Sequence, residues 1–454
     1  MRSTVNKLSA FCIAGTSSGD GKTTVTLALL RALYNRGMKV QPFKCGPDYI
    51  DPTFHNKACQ RHSRNLDCWM MGKDAVKKSF AHGVADMDVG VLEGVMGLYD
   101  SSRPGTLSGS TAETAITLGV PVILTINAKG MAGSIAAMVK GYCDFCPDIN
   151  IIGVIANRVG SANHASLLRE DLELAGLPPL LGYLMRNEKF TLPERHLGLV
   201  PFIEHEKSTA WFDLLAAEAE TCFDFDRILE LTNCQSAQIV RPVIETPLIK
   251  LGIAYDRAFH FYYEDNLDIL RNCGFELVKF SPISDKELPD DIKGIYLGGG
   301  FPEIFAAELE QNRSMRASIK AFANAGGAIY AECGGFMYLT ESLKDADGKL
   351  YKLCGLIPAR AAMGQRLRSL GYREVRSCHE SFFGPAGTAL RGHEFHWSST
   401  EFTTTAMPAW QMLSTRKQAS WAPTGYSSKN IIASYIHLHF ASNINAIKNW
   451  HDSL

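Results

Sequence analysis

Apolar runs without polar alternation constrain this chain most. LSAFCIAG, VGVLEGVMG, VPVILTINA and INIIGVIANR lack the in–out pattern of a strand with one face in water. Helix-like stretches separate them, and TTVTLALLRALYNRG reads as one that ends at Gly37. Strands apolar on both faces and separated by helices require a parallel sheet covered on both sides, an α/β fold. A second series of the same kind runs through LIKLGIAYD, GFELVKF, IKGIYLGGG, GGAIYAECGG and IIASYIHLHF.

Between the two series, GLVPFIEHEKS leads into a helical, acidic stretch from about Ser208 to Leu231. TNCQSAQIVRPVIETP follows, polar and punctuated by Pro242 and Pro247, and reads as a linker. The expected domains are residues 1–235 and 247–446 of the 454, in keeping with roughly 100–200 residues per domain. Lysine and arginine number 46 against 47 aspartates and glutamates, so the net charge of -1 gives no reason to expect a nucleic-acid or anionic-membrane surface. No apolar run reaches the ~20 residues of a membrane span. The N-terminal apolar segment is short and runs straight into glycines, unlike a signal peptide, and the expected compartment is the cytoplasm. The 12 cysteines follow no repeating frame, which suits reduced thiols. Cys143 and Cys146 form a lone C-x-x-C, a weak signal for redox or metal use.

AGTSSGDGKTT follows the first apolar run and opens the first helix, the setting in which backbone N–H groups hold phosphates. Lys22 would reach the β- and γ-phosphates, and the Thr23 hydroxyl would bind Mg²⁺. Gly19 and Gly21 allow close backbone approach, and Thr24 completes the expected nucleotide contacts. The spacing is unusual, with five residues between Gly15 and Gly21. Such a loop needs acidic partners for its metal. Glu93 stands just past a strand in VGVLEGVMGLYD, and Asp48 and Asp51 lie in FKCGPDYIDPTFH close to Lys44. Thr23, Asp48 and Glu93 would suffice for Mg²⁺, which prefers hard oxygens and keeps several waters.

Cys333 ends the run GGAIYAE, and GGFMYLTESL then reads as a helix. A strand–nucleophile–helix turn exposes a reactive atom at the top of a sheet, and a helix N-terminus favours thiolate. Gly334 permits the turn and offers an N–H. Gly299 and Gly300, in LGGGFPE, could complete an oxyanion hole. A nucleophilic cysteine needs a base, and SYIHLHF places His437 and His439 on one face of a strand, either of which could serve.

In order, GTSSGDGKTT, PFKCGPDYIDPTFH, EGVMGLYD, GSTAETA, LPERHLGLVP, LGGGFPE, ECGGFMYL, LGYREV, GHEFHWS and SYIHLHF resemble the cobyrinic acid a,c-diamide synthase family. Its members are glutamine-dependent amidotransferases of corrinoid (cobalamin) biosynthesis, and the likeness covers nearly the whole chain. It implies a first part similar to dethiobiotin synthetase and a second similar to class I glutamine amidotransferases of the cobyric-acid-synthase type. It makes Cys333 the nucleophile and His437 the residue that raises its nucleophilicity. Many class I relatives carry H-x-E, whose glutamate orients the histidine; here the third position is His439. Asn157 matches the position that reads adenine, and Lys44 and Asp48 fall where substrate is handled.

The implied reaction consumes ATP and glutamine and amidates the a- and c-carboxylates of cobyrinate through acyl phosphates. Hydrogenobyrinate and Ni-sirohydrochlorin are alternative substrates, and a homodimer is compatible with the family. The locally basic ARAAMGQRLRSLGYREVRSCHE, with Arg360, Arg366, Arg368, Arg373 and Arg376, reads first as an ordinary solvated surface, with contact to a polycarboxylate as the alternative. A P-loop switch ATPase is the rival from another class. Those proteins usually carry a second lysine early in the loop, where this chain has Ser17 and Ser18, and they need no cysteine domain.

Overall fold

The computed structural model describes residues 7–190, 194–195, 198–199, 209–235, 248–415 and 420–454. Most of the motif LPERHLGLVP and of the expected linker lies outside the described residues. The chain divides into two compact units, Met1–Val240 and Arg241–Leu454.

In the first unit the strands are β1 (Lys7–Gly15), β2 (Val40–Cys45), β3 (Arg64–Leu66), β4 (Val89–Glu93), β5 (Val122–Asn127), β6 (Ile151–Val159) and β7 (Leu180–Met185). They pair in the order β3-β2-β4-β1-β5-β6-β7, every pair parallel. Asn233–Gln235 adds an antiparallel strand against the start of β1. The doubly apolar pattern has the expected cause: Ala10 to Ala14 of β1 are fully buried, as are Val89, Val91 and Leu92 of β4.

Helix α1 (Lys22–Asn35) is buried along most of its length from Val25 to Leu33. Its outer side is tied to the helix Thr209–Cys222 by Arg31 Nε to Asp213 at 2.7 Å and by a two-pronged Arg36–Glu220 pair at 2.8 and 2.6 Å. It ends where Gly37 takes a φ of 79°, a left-handed turn that costs a glycine nothing. Because β1 has β4 on one side and β5 on the other, the chain order reverses at β1. Ligands of open α/β sheets bind outside the carboxyl ends of the strands at such a point, and the glycine loop leaves the sheet there.

In the second unit Phe275–Phe280, Ile249–Ala254, Gly294–Leu297, Ala328–Glu332 and Ile431–Ser434 form a parallel sheet in that order, with Tyr426–Ser427 antiparallel at its edge. Apolar clusters cover both faces. Ile329, Ala331 and Cys333 belong to one, and Ala328 and Tyr330 to the other, as the period of two demands.

Two sequence readings are corrected here. GGFMYLTESL is not one helix: the helix Gly334–Leu339 stops where Thr340 turns extended and its Oγ1 bonds back to Met337 O at 2.7 Å, and Thr340–Lys344 is a strand. IIASYIHLHF is not one strand. Ile431–Ser434 stays in the parallel sheet, while His437–His439 pairs antiparallel with Ala389–His396 in a second, five-stranded sheet. The break has one local and one distant partner: Ser434 Oγ accepts from Ile436 N at 3.2 Å, and Leu438 N donates to the Glu332 carboxylate at 2.9 Å instead of continuing the ladder.

Candidate active sites

The loop after β1 is held by its own polar groups. Asp20 Oδ2 accepts from Thr16 Oγ1 at 2.5 Å and from Ser17 N at 2.6 Å. Gly21 takes a φ of 90°, and a Cβ there would collide with Asn157 Nδ2, which donates to Asp20 O at 2.8 Å. Gly19 is left-handed too, at 85°. Asn157 thus braces the loop from β6. Lys22 folds back across the loop, its Nζ donating to Ser17 O at 2.8 Å. Burial, and then the charge of Lys44, push the Lys22 pKa down. Thr24 stands half-buried in the first turn of α1.

Beside the loop lies a buried charge cluster. Glu93, wholly buried at the end of β4, takes Thr23 Oγ1 and Lys44 Nζ on one oxygen at 2.6 and 2.9 Å. Its other oxygen is 2.7 Å from His55 Nε2. Lys44 also reaches Asp51 Oδ2 at 2.6 Å and Gly94 O at 3.1 Å, so its three N–H groups all have protein acceptors. Burial works against the Lys44 charge, but Asp51 and Glu93 outweigh it and hold its pKa well above lysine's usual value. Burial likewise works against the Glu93 carboxylate, and Lys44 and His55 overcome it and hold that pKa low.

The cluster therefore unites Thr23, Lys44 and Glu93. Asp48 stands at the start of helix α2 (Asp51–Cys59), where Oδ1 accepts from Ile50 N at 2.7 Å. Sequence reasoning missed His55. The signal was present, because Asp51 and His55 are four apart on α2 and so share a helix face.

Among the described residues no three His, Cys, Asp or Glu side chains converge as a ready metal cage. The donors still fit Mg²⁺. Thr23 Oγ1 and Glu93 Oε1 are adjacent hard oxygens. Burial and the neighbouring Asp48 also raise the Asp51 carboxyl's pKa, a crowding of carboxyls that a cation relieves.

In the second unit Cys333 has φ 46° and ψ −102°, a strained turn between the strand Ala328–Glu332 and its short helix. Its N–H donates to Ser434 O at 2.8 Å, and its carbonyl accepts from Met337 N at 2.9 Å. Burial, and after it Glu303 and Glu394, push the thiol pKa up, and the Gly334 N–H opposes this only in part. Burial thus works against the thiolate that a helix N-terminus favours, and the thiol calls for a base.

The glycine run supplies the meeting place. A Cβ on Gly299 would collide with Cε1 of His437, one on Gly300 with Ala258 O, and one on Gly334 would stand 3.1 Å from Gly300 N. His437 thus packs on Gly299, and Gly334, the residue after Cys333, packs on Gly300, so the expected oxyanion residues Gly299, Gly300 and Gly334 lie together. The neighbouring Gly335 N–H is already committed to Gly298 O at 3.1 Å.

His439 does different work. It is wholly buried, its Nδ1 accepts from Ala441 N at 3.3 Å, its ring stacks on Tyr263, and burial lowers its pKa to about 3. His437→Ala should cut glutamate release by about 10²-fold or more, as loss of a general base does. His439→Ala should cost mainly stability. Glutamate release and thermal melts of both variants check this, and a more damaged glutaminase in His439→Ala would reverse the assignment.

The basic stretch is split. Arg373 is buried, its Nε on Glu394 Oε2 at 2.7 Å, whereas Arg376 is exposed and covers the Trp421 ring at 4.5 Å. Arg373 is thereby withdrawn from the set that could meet a polycarboxylate.

Residues 11–200 match the family described as the CobQ/CobB/MinD/ParA nucleotide binding domain, and residues 250–444 the CobB/CobQ-like glutamine amidotransferase domain. A cobyrinate a,c-diamide synthase of Syntrophotalea carbinolica is 46% identical over 447 residues, 97% of each chain. One of Dehalococcoides mccartyi is 44% identical over 451 residues, 96% of each chain. One of Priestia megaterium is 42% identical over 441 residues, 96% of this chain and 95% of the relative. A nucleotide-binding half and a glutamine-hydrolysing half, matched almost end to end by these relatives, place the chain in the cobyrinate a,c-diamide synthase family of glutamine-dependent amidotransferase ligases.

Proposed function

We propose that this chain amidates the a- and c-carboxylates of cobyrinate, activating each with ATP as an acyl phosphate and supplying ammonia from glutamine. The observation that supports it most is the presence, in one chain, of a phosphate loop backed by a buried Thr23–Glu93–Lys44 cluster and of a strained Cys333 turn facing the glycines that also pack His437. A carboxylate resists ammonia because its leaving group is an oxide. Transfer of the γ-phosphoryl group to it turns that oxide into phosphate, which ammonia then displaces. Each amide consumes one ATP and one glutamine.

Within the first unit, Lys22 exchanges Ser17 O for phosphate oxygens and offsets their charge. Lys44 keeps Glu93 charged, and Asn157 holds the loop and faces the adenine. Thr23, Glu93 and Asp48 would hold Mg²⁺, which supplies positive charge against the phosphates. In the second unit, His437 takes the Cys333 Sγ proton as sulfur attacks the glutamine side-chain amide. The N–H groups of Gly299, Gly300 and Gly334 face the oxyanion. His437 then gives the proton to departing ammonia, and water clears the thioester.

Side-by-side turnover on cobyrinate, hydrogenobyrinate and Ni-sirohydrochlorin tests the substrate. Cobyrinate should show the highest kcat/KM and yield a diamide by mass spectrometry. A higher kcat/KM on either of the others would overturn that assignment and leave the amidation chemistry standing.

A further inference from the structure

The glutamate of the H-x-E pattern carried by many class I glutamine amidotransferases is replaced here by His439, which caps a turn and stacks on Tyr263. A different carboxylate faces His437. Glu332, the last residue of the strand before Cys333, places Oε2 at 3.7 Å from His437 Nδ1. It is wholly buried. Tyr296 OH donates to the same Oε2 at 2.9 Å, and Oε1 accepts from Tyr330 OH at 2.5 Å and Leu438 N at 2.9 Å.

We infer that Glu332 is the positioning residue for His437, a carboxylate delivered from the strand that precedes Cys333 in place of the missing glutamate two residues on. The inference rests on the Cys333–His437 reading above. Strand alternation puts Glu332 on the Tyr330 face and Cys333 on the other, and the residue after Cys333, Gly334, packs against Gly300 of the glycine run. Burying a carboxylate costs several kcal/mol unless its acceptors are filled, so a Glu at the end of AIYAE calls for a cause. Three donors fix its orientation, and Oε2, which among the described residues accepts from the Tyr296 hydroxyl, is the oxygen turned to the imidazole.

With Nδ1 facing Glu332, Nε2 is the ring nitrogen left for the Sγ proton, the same division of labour as in a nucleophile–His–carboxylate triad. The 3.7 Å separation suits a contact that tightens when the ring gains that proton. The Leu438 N–H bond adds register: it ties the residue after His437 to the residue before Cys333, so nucleophile and base are fixed to one another through Glu332.

Full-length Glu332→Gln, assayed beside Cys333→Ala, tests this. The amide keeps a carbonyl for Tyr330 and Leu438 but loses the charge facing Nδ1. Glutaminase kcat should fall about 100-fold, with glutamine KM within about threefold, because orientation of the base matters in the transition state rather than in binding. Ammonia-driven amidation should remain, as a measure of intact fold. A kcat within about threefold of wild type, or a loss shared with KM and with ammonia-driven synthesis, overturns the inference. Should Glu332→Gln not fold, Tyr296→Phe removes only the donor on Oε2, and kcat should drop about 3–10-fold at constant KM; an unchanged kcat overturns it equally. Retained glutaminase in Cys333→Ala would instead sink the Cys333–His437 reading itself.

Discussion

Lys22→Ala is expected to abolish amide formation from glutamine and from ammonia alike, while glutamate release continues. Lys22 is the one cation in the loop whose partner is replaceable: its Nζ rests on Ser17 O, a neutral carbonyl, at 2.8 Å. Lys44, by contrast, has all three N–H groups committed within the protein. Phosphoryl transfer develops charge on oxygens that only preorganised cations and amides can meet, and loss of one such contact commonly costs about 10²–10³-fold, roughly 3–4 kcal/mol. Alanine is a good helix former at the start of α1, so the fold should survive. Gly15 gains room as well, since Lys22 now packs against its Cα, 2.9 Å from where a Cβ would stand. The measurement is diamide yield by mass spectrometry with each nitrogen source, alongside glutamate release. Near-wild-type yield would show that the loop does not bind the reacting phosphates.

The readings that held were those written in local pattern. Runs such as LSAFCIAG reveal a doubly covered parallel strand because every residue of the run is apolar, and Ala10 to Ala14 are indeed fully buried. The loop glycines read as positions of close approach, and at Gly21, with φ 90°, the neighbour a Cβ would strike is Asn157 Nδ2, which no local pattern names. What failed was set by distant partners. IIASYIHLHF looks like one strand, and besides the local Ser434 bond it is Glu332, about a hundred residues earlier, that captures Leu438 N where the strand divides. One strand of the antiparallel sheet that carries His437 lies in the locally basic stretch, where the charges mask its pattern. Yet SLGYREVRS does alternate, burying Gly371, Arg373, Val375 and Ser377, and the buried arginine concealed the period because its partner Glu394 lies on the next strand. At Cys333 the local pattern shows the turn but not how deeply the thiol is packed. Its helix has six residues and sits in a packed core, so burial outweighs the helix N-terminus.

Cys333→Ala should lose glutamine-driven synthesis by about 10⁴-fold, the scale of removing a nucleophile, and keep ammonia-driven synthesis. The loop residues, Asp48 and Glu93 belong to the first compact unit and Cys333 to the second. Removing the thiol stops thioester formation and leaves the Thr23–Glu93–Lys44 cluster chemically intact. The backbone at Cys333 is left-handed, with φ 46°, and alanine bears the same Cβ penalty that cysteine already bears. Its N–H bond to Ser434 O needs no side chain. The expected loss of stability is about 1 kcal/mol, typical of a small buried truncation. Free ammonium has no lone pair to attack an acyl phosphate, so the rescue requires neutral ammonia, supplied by millimolar ammonium at mildly alkaline pH. The rate should rise with pH in parallel with the neutral fraction, whereas glutamine-driven synthesis by the unmodified chain should not follow that curve. Circular dichroism confirms folding. A folded variant inactive with both nitrogen sources would show that the thiol also supports the synthetase site, and one that still uses glutamine well would remove Cys333 from the mechanism.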